Sequence, residues 1–159
     1  NGGFGKVAFS LMRLQSLGGP FSIYGSLSGQ AAGKNLDPSE KMELGGMNAV
    51  RAYPEGEAFA DQGLLGTVEL RMDLPKFAAA PGVVQLLAFV DAGTVTINRD
   101  PWAAGRNHRD LGGAGIGANW SDPGNFMLRA YYAVKLGNER AISAPDRSGR
   151  FWIQGIKFF

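Results

Sequence analysis

From Leu64 to Leu74 apolar and polar positions alternate without a break. Leu64, Gly66, Val68, Leu70, Met72 and Leu74 fall on one side, and Leu65, Thr67, Glu69, Arg71 and Asp73 on the other. A period of two places each set on its own face of a β-strand, here one apolar and one charged. The same period recurs elsewhere. Phe21, Ile23, Gly25, Leu27, Gly29 and Ala31 oppose Ser22, Tyr24, Ser26, Ser28 and Gln30. Val84, Leu86, Ala88, Val90 and Ala92 oppose Gln85, Leu87, Phe89, Asp91 and Gly93. Gly112, Ala114, Ile116, Ala118 and Trp120 oppose three glycines and Asn119, and Phe126, Leu128, Ala130, Tyr132 and Val134 oppose Asn125, Met127, Arg129, Tyr131 and Lys135. Residues 4–17 alternate less cleanly, 41–46 reads as a short strand, and 150–159 as a last one. The pattern predicts eight strands and no helix.

In that reading the third, fifth and seventh connections are long, and the second, fourth and sixth are shorter. Long connections at one end and short turns at the other mark an up-and-down barrel of the outer-membrane type. The first connection, Gly18 to Pro20, breaks the alternation. No run of 18 apolar residues is present, so no transmembrane helix is expected, whereas a barrel strand needs only about ten alternating residues. A soluble β-barrel or sandwich, with its apolar faces turned inward, has the same alternation.

Composition supports strands. Gly 24 and Pro 8 in 159 residues suit many short strands and turns, because interior glycine costs a helix roughly 1 kcal/mol. A net charge of +2, spread without blocks of like charge, gives no sign of a nucleic-acid partner. Without cysteine there is neither a disulfide framework nor thiolate chemistry. The chain opens at Asn1 with neither Met nor a signal sequence, so a piece of something longer is expected.

Candidate chemistry is sparse. The one histidine, His108, has Asp110 nearby but no nucleophile motif, so a Ser-His-Asp site is not expected. GGAGIG at 112–117 would have to open a helix to bind a dinucleotide. On a strand its alternate glycines instead predict close packing against one face. Glu55, Glu57 and Asp61 lack calcium-loop spacing and read as solvated. No catalytic residue, metal site or cofactor is expected. What remains is Val50 to Gly63, VRAYPEGEAFADQG, a polar connection of a length that is usually functional or disordered.

Two motifs, VRAY at 50–53 and FVDAG at 89–93, give this connection a context. VRAYPEGEAFADQGLLGTVELRMDLP resembles the signature loop and following strand of two-partner secretion transporters, the haemolysin secretion and activation proteins of Gram-negative outer membranes. QLLAFVDAG is similar to their next strand and PDRSGRFWIQGIKFF to their C-terminal end. The family motif is usually Val-Arg-Gly-Tyr, and Ala52 stands here at the glycine position.

The resemblance implies a transmembrane antiparallel β-barrel of sixteen strands, preceded by POTRA domains. Residues 1–159 would supply its last eight strands and a loop, 47–63, folded inward. The first and last strands would pair with the absent half, since an open sheet edge is not tolerated in lipid. Val50, Arg51, Ala52 and Tyr53 would form the loop motif, and Phe89, Asp91 and Gly93 the wall motif, with Arg51 facing Asp91. Arginine suits this place because its planar fork holds a carboxylate bidentately. Glu69, Arg71 and Asp73 are lumen-facing charged candidates. The implied function is passage of a large haemolysin- or adhesin-like exoprotein across the outer membrane without nucleotide hydrolysis. Its partners would be that exoprotein, outer-membrane lipid and, during biogenesis, the barrel-assembly machinery. The alternatives are a related outer-membrane insertase and a soluble β-barrel that binds a small apolar ligand.

Overall fold

Seven strands follow one another in a single antiparallel sheet whose spatial order is its sequence order. They are β1 (Lys6–Gly18), β2 (Phe21–Ala32), β3 (Gln62–Asp73), β4 (Val83–Thr96), β5 (His108–Asp122), β6 (Phe126–Lys135) and β7 (Gly149–Lys157). The computed structural model describes residues 3, 5–76, 81–102 and 104–159. Phe4, at the start of the first expected strand, lies outside them.

The expected short strand at 41–46 does not form. This segment belongs to one long connection, residues 33–61, in which Met42 pairs with Ala60 and Gly45 with Val50 as isolated bridges. Its backbone groups are met within the connection, and Gly46 turns the chain away at φ 107°. Removing that strand also removes the anomaly in connection length. The connections at 33–61, 97–107 and 136–148 alternate with shorter ones at 19–20, 74–82 and 123–125.

The expected closed barrel is likewise not what this chain forms. Among the described residues β1 pairs only with β2 and β7 only with β6, so the sheet is open at both edges. Strand parity explains why. With seven antiparallel strands, β1 and β7 run in the same direction, so they could not close antiparallel, as an up-and-down barrel with an even strand number does. The misread strand at 41–46 had made the count eight, and the expectation of a barrel came from the resemblance.

The two faces have different fates. Val68, Leu70, Val90, Ile116, Tyr132, Phe151 and Ile153 form an exposed apolar face. On the other face, the 33–61 connection folds back over the middle of the sheet. Leu44, Met47, Val50, Ala52 and Tyr53 pack there with Leu87, Phe89, Val95, Leu111, Tyr131 and Ala133 to make the core. The core therefore lies between a loop and a sheet, and the apolar face lies outside it.

Candidate functional site

Arg51 sits where this loop meets the sheet. Strand register sets out its wall: Thr67 lies opposite Asp91, and Asp91 opposite Gly113, while the next row inward-facing on the same strands holds Glu69, Phe89 and Gly115. Arg51 grips Asp91 through Nε to Oδ2 at 2.9 Å and Nη2 to Oδ1 at 2.8 Å, and its backbone N–H donates to Oδ2 at 3.1 Å. Its remaining terminal nitrogen, Nη1, donates to Glu69 at 2.7 Å. The guanidinium carbon lies over Phe89, 3.4 Å from the ring centroid, a cation–π arrangement strengthened by loss of water.

All three charged groups are out of solvent: Arg51 is 4% exposed, Glu69 6% and Asp91 0%. The Thr67 hydroxyl adds a fourth hydrogen bond to Asp91 at 2.9 Å, which fills the acceptor capacity of a carboxylate. Arg71 balances the second carboxylate, donating to Glu69 at 2.8 Å while stacking over Tyr24. Two guanidiniums and two carboxylates thus form a neutral knot, buried except at the half-buried Arg71. Burial disfavours the charge of Arg51, but its bonds to Asp91 and the charges of Asp91 and Glu69 outweigh this and hold its pKa above the ordinary value.

Small residues let the loop come this close. A Cβ at Gly113 would lie 2.6 Å from the Ala52 Cβ, and side-chain atoms of Phe89 and Tyr131 fill the space in front of Gly115 and Gly117. The alternate glycines of GGAGIG are therefore packing positions. Leu44 of the loop fills the space over Gly93 in the same way. On the far side, the Trp152 indole of β7 donates to the Arg51 carbonyl at 2.7 Å.

Farther along the loop, Glu57 and Asp61 form two more anchors. Both are 0% exposed, which overturns the reading of them as solvated. Glu57 pairs with Arg109 and accepts the backbone N–H groups of Ile142 and Ser143, the latter at 2.9 Å, as well as the Ser143 hydroxyl at 2.8 Å. Burial alone would raise its pKa, but these hydrogen bonds prevail and lower it. Asp61 accepts the backbone N–H groups of Leu36 and Arg99 at 3.1 and 2.9 Å and pairs with Lys41 at 3.0 Å. Its pKa is also lowered, the hydrogen bonds again overcoming burial. Tyr53 reaches the same region, donating to the Glu139 carbonyl at 2.9 Å. Burial, followed by the charge of Glu139, pushes its hydroxyl up to about 12. Glu55 stays exposed. Among the described residues no group of three or more His, Asp or Glu is placed to hold a metal ion.

Residues 3–158 match the Omp85 superfamily domain. The chain belongs to the Omp85 superfamily. The resemblance to two-partner secretion transporters thus holds at the level of the superfamily, and with it a location in the bacterial outer membrane. Two similar relatives are the heme/hemopexin transporter proteins HuxB of Haemophilus influenzae strains 86-028NP and ATCC 51907. Each is 32% identical over 152 residues, covering 95% of this chain and 26% of the relative. The chain therefore spans about a quarter of the length of the curated relatives it matches. CdiB from Acinetobacter baumannii shares the fold with a TM-score of 0.64 at 22% identity, over 98% of this chain and 27% of that one.

In this Omp85 chain, Arg51 meets Asp91, Glu69, Phe89 and, through Glu69, Arg71 in one place, while Val50 and Ala52 pack in the core beside it, Tyr53 reaches Glu139 and Gly93 packs under Leu44. Asp73 lies apart, exposed, accepting a hydrogen bond from Gln85 at 2.7 Å. His108 opens β5 at the surface, 3.2 Å from Asp110. Several partners of the knot and anchors were missed. Thr67 was findable, because it shares the face of Glu69 two residues away. Trp152 was findable too, by continuing the alternation along the last strand. Arg109, Glu139 and the amides of residues 142 and 143 carried no such signal.

Proposed function

We propose that this chain is the loop-bearing part of an outer-membrane translocator that passes a large secreted polypeptide without nucleotide hydrolysis. The knot of Arg51 with Asp91 and Glu69 carries this reading. A loop held only for stability would be served as well by apolar packing, because a buried ion cluster gains little net stability over a well-packed apolar one. An ionic hold gives the loop a defined seat on the polar face, beside which an extended chain can move. The apolar opposite face suits lipid, and the names of the HuxB relatives are those of transporters. The exported partner would be a haemolysin- or adhesin-like exoprotein, as in two-partner secretion. In lipid, the open edges of β1 and β7 also require strand partners from outside these residues.

The test is secretion of the cognate exoprotein by cells carrying Arg51→Ala, Asp91→Ala or Lys34→Ala. Lys34 is exposed and is not among the residues of the knot. The first two variants should lose export and the third keep it, with comparable amounts of each in the outer membrane. Equal export by all three would end this reading. A general loss of other outer-membrane proteins in the first two would indicate an insertase instead.

A further inference from the structure

Beside the Arg51 knot, on the side of the short turns, the loop leaves part of the polar face uncovered. A cleft of about 300 Å³ opens there between the loop tip and the wall. Arg71, Arg129, Asn119 and Tyr131 line it from the strands, and Asn48 from the loop tip. Its charges do not cancel. Arg51 and Arg71 are matched by Asp91 and Glu69, whereas among the described residues Arg129 has neither an ion-pair nor a hydrogen-bond partner. Asn119 accepts from the Tyr131 hydroxyl through Oδ1 at 2.8 Å, which leaves its two amide hydrogens as donors. The half-buried site thus offers an unmatched guanidinium beside spare N–H donors.

Such a site takes an anion, and its surroundings select the kind. Glu69 lines the same cleft, so a doubly charged phosphate meets more repulsion there than a singly charged carboxylate. We propose that this cleft receives Asp or Glu side chains, one at a time, from an extended polypeptide passing the loop tip. The inference rests on the transport reading and adds a chemical preference to it. Arg129 would hold the carboxylate, and Asn119 and Asn48 would donate to it or to the neighbouring backbone carbonyls.

The test uses the full-length protein in detergent and two fluorescent, unstructured peptides that differ by a single Glu or Gln. Anisotropy at low salt should give about tenfold tighter binding of the Glu peptide, the scale of one charge-assisted hydrogen-bond pair. Arg129→Gln should bring the two affinities together without changing that of the Gln peptide, and Arg129→Lys should restore part of the difference. Asn48→Asp, at an exposed tip that leaves the fold undisturbed, should weaken only the Glu peptide. Equal affinities in the unaltered protein, or undiminished discrimination in Arg129→Gln, would overturn the proposal. Displacement of the Glu peptide by inorganic phosphate or anionic-lipid vesicles more readily than by acetate would overturn it as well, by assigning the cleft to phosphate. Because binding is read without transport, a secretion defect in Arg51→Ala alongside equal peptide affinities would remove this inference alone.

Discussion

Of the buried charges that hold the loop of residues 33–61, those at Arg51 and at Glu57 are built differently. At Arg51 the partners are side chains on adjacent strands, Asp91, Glu69, Thr67 and Phe89, brought together by register. At Glu57 they are Arg109 of β5, backbone amides at 142 and 143, and a serine hydroxyl, from a strand end and another loop. The first joins loop to wall and the second chiefly loop to loop. A sheet holds side chains at positions set by its hydrogen-bond ladder, so the wall site is rigid. The second depends on the 136–148 connection staying in place. Loops open at lower free energy than sheet cores, so the two ends of the loop should be released separately.

The largest effect should come from the wall. Asp91→Ala leaves Arg51 buried with its bidentate partner gone, and loss of one member of a buried pair costs roughly 3–5 kcal/mol. Chemical unfolding of the protein in detergent, followed by a fluorophore on the loop, reads this directly. A cost below about 1 kcal/mol, the value of an exposed pair, would mean the knot is solvated.

A smaller effect tests how closely the loop seats. Gly113→Ala would push a methyl group against Ala52, and overpacking of this kind typically costs 1–3 kcal/mol. In an Ala52→Gly background the same change should cost much less, since the opposing methyl is gone. A double-mutant cycle with no coupling would show that the two residues do not touch. Ala52 itself has no need of glycine: the non-glycine residue with positive φ among the described residues is Ala58, at φ 55°.

The smallest effect separates the two ends by pH. Glu57 and Asp61 have pKa values lowered from their usual 4.5 and 3.8. Their stabilisation is therefore complete above those usual values and is lost as the pH falls below them through the depressed folded values. Acid should release the 54–61 end, and protease cleavage near Phe59, which is exposed, should rise below about pH 4. Glu57→Gln keeps an acceptor but not the charge, and should flatten much of this response.

Much of this was legible in the sequence, and the lapses have physical causes. Alternation located five of the seven strands, β2 to β6, to within a few residues, because each keeps two distinct faces, and the last strand was legible as the run that ends the chain. β1 was legible despite blurred alternation, since it runs unbroken to the turn at Gly18–Gly19. Lys41 to Gly46 was misread because a bridge-bearing loop segment with buried Leu44 has a strand's composition without a strand's partner. That one error made the strand count eight instead of seven; the expectation of a barrel came from the resemblance and not from the count. VRAY and FVDAG named the two sides of the knot. Glu57 and Asp61 read as solvated in the sequence because backbone amides, their main partners, are present at nearly every residue and leave no signature.

Hydrogen exchange across residues 44–61 and 139–146 in the unaltered protein, Asp91→Ala and Glu57→Gln tests the two-point attachment most directly. In Asp91→Ala, protection should fall at residues 50–53, including the Arg51 amide that donates to Asp91, and persist at 142 and 143. In Glu57→Gln it should fall at 142 and 143 and persist at Arg51. Loss of protection over both regions together in either variant would contradict separate anchors and make the loop a single cooperative unit.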